Sequence, residues 1–169
     1  AINVFDLDST QLIQTVKLMR DEGQLLGGFE MKELPNMFIG AAANPFADPY
    51  EIRVARLAKK VAAGCQFIQT QCIYNMEKFK TWMQQVRDQG LHEKVAILAG
   101  LTPMKNVGMA KYMKNRVPGI DVPDDIIERL AAVPKEKQAD EGIKICVEQI
   151  EELKEEEGIR GFHVMAIEW

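Results

Sequence analysis

The sequence has few of the residues that most readily reveal a function. Only 7% of its 169 residues are aromatic, and it contains three cysteines and two histidines. The cysteines, Cys65, Cys72 and Cys146, form no CxxC pair and have no histidine at ligand spacing, so the sequence predicts no metal site and no disulfide framework. Unpaired cysteines of this kind are typical of a reducing compartment, and we expect a cytoplasmic protein.

The sequence also lacks a strong charge imbalance and a long apolar run. Its net charge of −4 and pI of about 5.3 argue against a nucleic-acid partner, which favours basic domains. No apolar run approaches the roughly 20 residues that a membrane span requires. The opening AINVFDLDST has no basic region followed by an apolar one, so we expect no signal peptide and no membrane association. The length predicts one domain over residues 1–169.

What the chain does contain is a regular alternation of predicted helices and strands. Apolar segments at 36–43, 65–73, 94–100 and 161–169 read as strands, with amphipathic helical segments between them. Such alternation predicts a parallel α/β sheet with right-handed crossovers. In the helical segment 139–158, we expect the buried stripe to be Ile143, Val147, Ile150 and Leu153.

Two architectures fit this alternation. Four strands are about half of a (β/α)8 barrel of TIM type, which takes about 250 residues, and an open doubly wound sheet is the alternative. In the barrel interpretation the chain supplies about the last four strands. A half barrel has open edges that invite pairing, so we expect an upstream segment, a partner subunit or self-association to complete it.

Two glutamines stand out in the segment FIQTQCIY, residues 67–74. Gln69 and Gln71 are two residues apart and therefore share one face of the predicted strand. A buried amide without a partner costs about 1–3 kcal/mol, so a core position favours valine or isoleucine. Because both architectures place ligands at the carboxyl ends of strands, Gln71 is a candidate binding residue. Gln69 fits a ligand contact and a satisfied core amide equally well.

A cluster of basic residues lies upstream of the glutamines, after the proline-containing loop NPFADP. Arg53, Arg56 and Lys60 share one face of the predicted helix that starts after Pro49, with Lys59 adjacent. This face is either solvated or an anion site, for example for a cofactor diphosphate. The upstream IGAAANP allows a ligand close to the backbone but matches no phosphate-binding fingerprint. We expect the two histidines, His92 and His163, to be structural, and the nine methionines to fill the core.

Several strand-end motifs together resemble a known family. The motifs GAAANP, LAKKVAAGCQFIQTQ, AGLTPM, VPGIDVPDDIIERL and GIRGFHVM occur in the order and spacing of the methylenetetrahydrofolate reductase family. The resemblance covers nearly the whole chain and corresponds to the C-terminal half of a flavin-binding barrel, with acetogen-type bacterial reductases most similar. It implies a flavin-dependent enzyme that reduces methylenetetrahydrofolate to methyltetrahydrofolate by ping-pong hydride transfer. The implied cofactor is FAD, with FMN as the alternative, and the electron donor is NAD(P)H or a partner subunit.

The resemblance also assigns roles to residues. It implies that Gln71 binds the folate pterin and that the loop after the third predicted strand, with Leu101 and Val107, contacts folate, as does Met165. Val107 stands where some members have a stacking phenylalanine, and Met165 and Trp169 stand where some have tyrosine and arginine. Arg53 and Arg56 replace the aspartate and asparagine of other members. The implied flavin contacts are Phe5, Asp6, Leu7, Ala42, Asn44, Arg53, Arg56, Lys59 and Lys60.

The largest departure from the family is an absent residue. The family's general acid, a glutamate on an early strand, has no counterpart in this sequence, so no catalytic residue is predicted here. We therefore expect the chain to be a piece of a longer enzyme, active only with the N-terminal half of the barrel, and to be part of a homo- or hetero-oligomer. The alternatives are a non-catalytic half barrel that binds folate, flavin or a partner protein, and an unrelated hydrolase or aldolase-type barrel.

Overall fold

Four short apolar segments form one parallel sheet in the computed structural model, which describes residues 6–167. The strands lie side by side in their order along the chain, β1-β2-β3-β4. Sequential order without a reversal distinguishes this sheet from the doubly wound alternative, in which strand order reverses at a switch point. The strands are β1 (Gly40–Ala43), β2 (Phe67–Cys72), β3 (Ala96–Leu101) and β4 (Ile159–Val164).

The helices lie between the strands and before the first of them. Asp8 starts the first helix with a capping box, in which its carboxylate accepts hydrogen bonds from the backbone N–H groups of Thr10 and Gln11. Asn75 and Asn106 cap two later helices in a similar way. The helices are α1 (Ser9–Glu22), α2 (Arg53–Ala63), α3 (Met76–Asp88), α4 (Leu91–Lys94), α5 (Val107–Arg116), α6 (Asp124–Ala131) and α7 (Gln138–Lys154), with 3₁₀ turns at Tyr50–Ile52 and Lys135–Lys137.

The two faces of the sheet differ in burial. On one face Ile68, Thr70 and Cys72 of β2 are at most 3% exposed, and they pack in the protein interior together with residues of the helices. On the other face Phe67, Gln69 and Gln71 are only half-buried. One buried face and one open face, with sequential parallel strands, are what a partial barrel requires. The predicted α/β fold is therefore confirmed, with four strands consistent with half of a barrel.

The prediction for the buried stripe of α7 was wrong in part. Ile143 and Val147 are 43% and 49% exposed, whereas Leu153 is fully buried. The helix instead turns Gly142 inward, where an added Cβ would lie 1.7 Å from the carbonyl oxygen of Met104. This close approach of two backbones fixes the rotation of α7, and periodicity along the helix could not reveal it.

The ends of the outer strands also differ from the prediction. β1 covers only four residues, and β4 ends at Val164, so Met165 lies beyond the strand. The backbone N–H of Met165 nevertheless donates a hydrogen bond to the carbonyl oxygen of Leu101, at 2.7 Å, which continues the pairing with β3. Within residues 6–167 there is no helix of the length and apolarity needed to cross a membrane.

Candidate functional site

A cavity of about 380 Å³ lies at the carboxyl ends of the strands, on the open face of the sheet. It brings together residues that are far apart in the sequence and that the sequence analysis singled out separately. Helix α2 contributes Arg53, Arg56, Leu57 and Lys60. The strands and the segments that follow them contribute Ala42, Ala43, Asn44, Gln69, Thr70, Gln71, His163 and Met165.

Gln71 is held in place by an irregularity of its own strand. The register between β2 and β3 shifts between Gln69 and Cys72, and the side-chain oxygen Oε1 of Gln71 accepts a hydrogen bond of 3.0 Å from the N–H of Cys72. Because this bond occupies the amide oxygen, the side-chain NH₂ of Gln71 retains two donors for a ligand. The side chain of Gln69 makes no hydrogen bond to any described residue, so it is not a satisfied core amide.

The close contact between β2 and β3 depends on Gly100. A Cβ at this position would lie 2.2 Å from the carbonyl oxygen of Thr70, so only glycine allows the two backbones to approach. The Gly100 N–H in turn donates to the hydroxyl of Thr70 at 2.8 Å, and that hydroxyl donates to the carbonyl oxygen of Gln71 at 3.0 Å. These buried hydrogen bonds thus support the strand end that carries Gln71.

The three basic residues of α2 that line this cavity have different environments. The Nε of Arg53 donates to the carbonyl oxygen of Ala47 at 2.6 Å, which ties the helix to the preceding loop. The Nζ of Lys60 donates to the carbonyl oxygen of Ala42, also at 2.6 Å. The guanidinium of Arg56 makes no hydrogen bond or ion pair with any described residue, and the residue is exposed. Arg56 is therefore the basic group of this set most available to an anion.

The electrostatic balance of the first cavity is positive. Burial lowers the pKa of Lys60 below its usual value, and the positive charge of Arg56 lowers it further. No aspartate or glutamate is among the described residues that line the cavity. An uncompensated pair of cations is unfavourable by itself, and a bound anion would relieve the repulsion.

Asn44 holds the loop that connects β1 with α2. Its Oδ1 accepts hydrogen bonds from the N–H groups of Phe46 and Ala47, at 3.0 and 3.2 Å. Gly119, with a positive φ of 77°, leaves room for the Asn44 amide, because a Cβ there would lie 2.1 Å from Nδ2. Asn44 therefore reaches the first cavity from a loop whose shape it also determines.

A second and larger cavity of about 710 Å³ adjoins the first and shares Gln71 and Met165 with it. It lies between the end of β2, helix α5 and the segment after β4. Its lining is largely apolar and includes Met109, Tyr112, Met113, Ile120 and Ile167. At its base the thiol of Cys72 contacts the hydroxyl of Thr102 at 3.0 Å, and burial raises the pKa of that thiol.

The remaining predicted site residues other than Leu101 lie in four different positions relative to the cavities. Phe5 and Trp169 lie outside the described residues. Asp6 and Leu7 precede α1 and line neither of these two cavities, and Lys59 is exposed on α2 outside both. Val107 begins α5 and packs against a buried cluster.

Leu101 contributes to the site through its backbone rather than its side chain. The side chain is 0% exposed in the main core and reaches neither of these cavities. Its carbonyl oxygen instead holds Met165 beside both of them.

Sequence reasoning missed two features of this site. His163 was expected to be structural, but it lines the first cavity on the same side as the two glutamines. Its position in β4, on the same face as Gly161 and paired with Gly100, could have indicated this only if the strand pairing had been known. Met109 and Met113, which line the second cavity, were expected to fill the core, and Tyr112 was not singled out.

Comparison with known proteins decides the family. The family model for methylenetetrahydrofolate reductase matches residues 11–169. The chain belongs to the methylenetetrahydrofolate reductase family. It is 29% identical over 113 residues to methylenetetrahydrofolate reductase 2 of Schizosaccharomyces pombe, covering 63% of this chain and 18% of that protein. It is 27% identical over 135 residues to methylenetetrahydrofolate reductase 2 of Saccharomyces cerevisiae, covering 75% of this chain and 22% of that protein.

A solved structure shows the same fold. An uncharacterized protein from Clostridium thermocellum, which binds two copies of 5-methyl-5,6,7,8-tetrahydrofolic acid, superposes with a TM-score of 0.55 at 22% identity, covering 80% of this chain and 49% of that chain. The chain described here thus spans about a fifth of each yeast methylenetetrahydrofolate reductase and about half of the superposed Clostridium chain. The predicted family is confirmed, while the similarity to acetogen-type enzymes stays a prediction.

Proposed function

We propose that the chain forms part of a flavin-dependent oxidoreductase that reduces methylenetetrahydrofolate to methyltetrahydrofolate, with electrons from a reduced nicotinamide or a partner subunit. The observation that carries this proposal is the first cavity. It combines two strand-end amides, Gln69 and Gln71, with a basic wall free of aspartate and glutamate among the described residues. Amides suit the recognition of a heterocyclic ring, and cations suit a phosphate group.

The first cavity fits the phosphate end of a flavin. Arg56 and Lys60 face the cavity without a carboxylate among its described lining residues, and Arg53 fixes the loop beside them. Ala42 and Ala43 offer small side chains over which a planar group can approach the strand ends. When bound, a flavin supplies hydride transfer, and FAD is the expected form, with FMN as the alternative. Asp6, Leu7, Asn44 and Lys59 remain proposed contacts from the family resemblance.

Gln71 is the proposed contact for the pterin ring of folate. Its position between the two cavities lets its free NH₂ donors reach a ligand that extends from one into the other. That the superposed Clostridium protein binds 5-methyltetrahydrofolic acid supports a folate ligand. Met165 is the proposed neighbouring contact, with Leu101 holding its backbone and Val107 nearby in the following helix.

The open face of the sheet indicates that another part of the protein or a partner subunit covers it. The half-buried face that carries the glutamines needs a cover to exclude water from the reaction, and the rest of the barrel or a partner subunit would supply it. The general acid would come from that part as well. We also propose a cytoplasmic homo- or hetero-oligomer, in line with the composition.

The test of this proposal is to substitute Gln71 in the full-length protein that contains this chain. Gln71→Ala removes the donors that face the cavity and should lower kcat/KM for methylenetetrahydrofolate about tenfold, while flavin content stays unchanged. Gln71→Glu keeps the shape but replaces donors by acceptors, so it should show the same loss. Gln84→Ala, on the exposed side of α3, is the control and should behave as wild type. Full folate turnover in both Gln71 variants would contradict the assignment.

A second candidate is a non-catalytic module that binds folate or flavin. The observation that favours it is the lack of an aspartate or glutamate among the described residues of the first cavity. These residues therefore provide no carboxylic acid that could act as a general acid. The same purified full-length protein distinguishes the two. Tight binding of folate and flavin without turnover of methylenetetrahydrofolate by any reduced nicotinamide or artificial donor would favour the module.

A further inference from the structure

His163 is a polar side chain of the first cavity that has no role in the proposed function. The residue is half-buried on β4, and its imidazole makes no hydrogen bond or ion pair with any described residue. A neutral imidazole carries one hydrogen-bond donor and one acceptor, and buried polar groups rarely remain without partners. Both ring nitrogens of His163 are therefore available to a ligand.

The pairing of the strands places His163 opposite Gln71. His163 pairs with Gly100 of β3, and Gly100 pairs in turn with Cys72, the residue after Gln71 in β2. Both side chains line the first cavity at the carboxyl ends of strands that are separated only by β3. Two strand spacings put the backbones of β2 and β4 about 9.5 Å apart, a gap that a ring with polar edges can bridge.

The space between these two side chains has an apolar floor. β3 contributes no side chain at this level, because the residue paired with His163 is Gly100. One layer towards the amino ends of the strands, Leu98 leans over Gly161, where an added Cβ would lie 3.2 Å from Leu98 Cδ2. A planar ring above this layer therefore presents opposite edges to Gln71 and His163.

The charges of the cavity indicate which part of a ligand lies there. The cations Arg56 and Lys60 project from helix α2, and Lys60 bonds to the carbonyl oxygen of Ala42 in β1. His163 lies on β4, at the other edge of the four-stranded sheet. An anionic group therefore favours the α2 side of the cavity, and an uncharged ring with hydrogen-bonding edges favours the side of Gln71 and His163.

We propose that His163 is a substrate-binding residue that, together with Gln71, holds opposite edges of the pterin ring of folate. This inference rests on the proposed function, since it requires folate as the ligand. His163 supplies a contact on β4 that Gln71, two strands away, does not reach. Removing the imidazole should weaken folate binding and leave flavin content unchanged, because the basic residues of α2 hold the flavin from the other side of the cavity.

The experiment measures the Kd for 5-methyltetrahydrofolate by isothermal titration calorimetry with the full-length protein that contains this chain. His163→Ala should raise this Kd about tenfold, the factor expected for one lost hydrogen bond to a ligand. His163→Gln keeps a donor and an acceptor at the end of the side chain and should recover most of the affinity. The flavin content of both variants should equal that of wild type.

A double-mutant cycle tests whether Gln71 and His163 hold the same ring. Gln71→Ala should also raise the Kd about tenfold. The double variant should raise it about thirtyfold rather than the roughly hundredfold expected of independent contacts, because a ring released at one edge binds less well at the other. Thermal unfolding of the same variants should show no such coupling, since no hydrogen bond joins the two side chains.

Val164→Ala is the matched control, because Val164 is the next residue of β4, is 51% exposed and lines neither of these two cavities. It should change neither the Kd nor the flavin content. An unchanged Kd in His163→Ala, an equal loss in His163→Gln, or a fully multiplicative loss in the double variant would overturn the shared contact while leaving the proposed function intact. If the wild-type protein binds no 5-methyltetrahydrofolate, both the inference and the proposed function fail.

Discussion

The two faces of strand β2 have opposite character although their residues alternate along one segment of six. Ile68, Thr70 and Cys72 are almost completely buried in the protein interior, and each has an apolar or hydrogen-bonded environment. Gln69 and Gln71 are half-buried and turn amides toward a cavity. The two faces therefore differ in role: one stabilises the fold, and the other presents polar groups to the first cavity.

The largest expected effect comes from truncating the buried face. Ile68→Ala should lower the free energy of unfolding by about 3 kcal/mol, because the side chain is 0% exposed and its removal leaves a cavity. Gln69→Ala, one residue further along, is the matched control and should cost well under about 1 kcal/mol. Chemical denaturation measures the free energy of unfolding of both variants, and equal losses would contradict the different roles of the two faces.

A smaller loss should follow from the buried hydroxyl. Thr70→Val preserves the shape but leaves the Gly100 N–H without its acceptor, which should cost about 1–3 kcal/mol. Thr70→Ser keeps the hydroxyl and should cost less than Thr70→Val. Thermal or chemical unfolding of the two variants makes the comparison, and a Thr70→Val variant as stable as wild type would show that this hydrogen bond does not support the strand end.

The smallest expected effect concerns the charges on the open face. Arg56→Gln should raise the pKa of Lys60 toward its usual value, because it removes the like charge while the effect of burial remains. Since the pKa of Lys60 is lowered by folding, the unfolded chain binds more protons between the folded and unfolded values, and stability from this group rises with pH through that window. NMR titration of the lysine side chain measures the shift, and a pKa of Lys60 that does not rise in the variant would contradict the account.

Much of the fold could be predicted from the sequence because its signals are local. The alternation of helices and strands was predicted from the sequence and is confirmed. The Asp8 cap and the buried stripe of Phe79, Trp82, Met83 and Val86 on α3 likewise arise from residues close together in the sequence. The rotation of α7 depends instead on a glycine that meets the backbone of Met104, about 40 residues away in the sequence. No periodicity along one helix contains that information.

The candidate site likewise contains residues that local sequence signals predict and residues that only long-range contacts bring together. Gln71 at a strand end and the basic face of α2 follow from spacing and from the rule that barrels bind ligands at the carboxyl ends of strands. His163 and Tyr112 reach the cavities only through the pairing of β4 with β3 and the packing of α5, which are long-range contacts. Leu101 was expected at the ligand, yet its side chain belongs to the core, because the strand continues one residue further than predicted.

We propose that the open face of β2 binds folate through Gln71. A crystal structure of the full-length protein with 5-methyltetrahydrofolate tests this most directly. We expect the pterin ring within hydrogen-bonding distance of the Gln71 side-chain nitrogen, about 2.7–3.2 Å. A folate bound elsewhere, with the Gln71 amide bonded only to the N–H of Cys72, would contradict it.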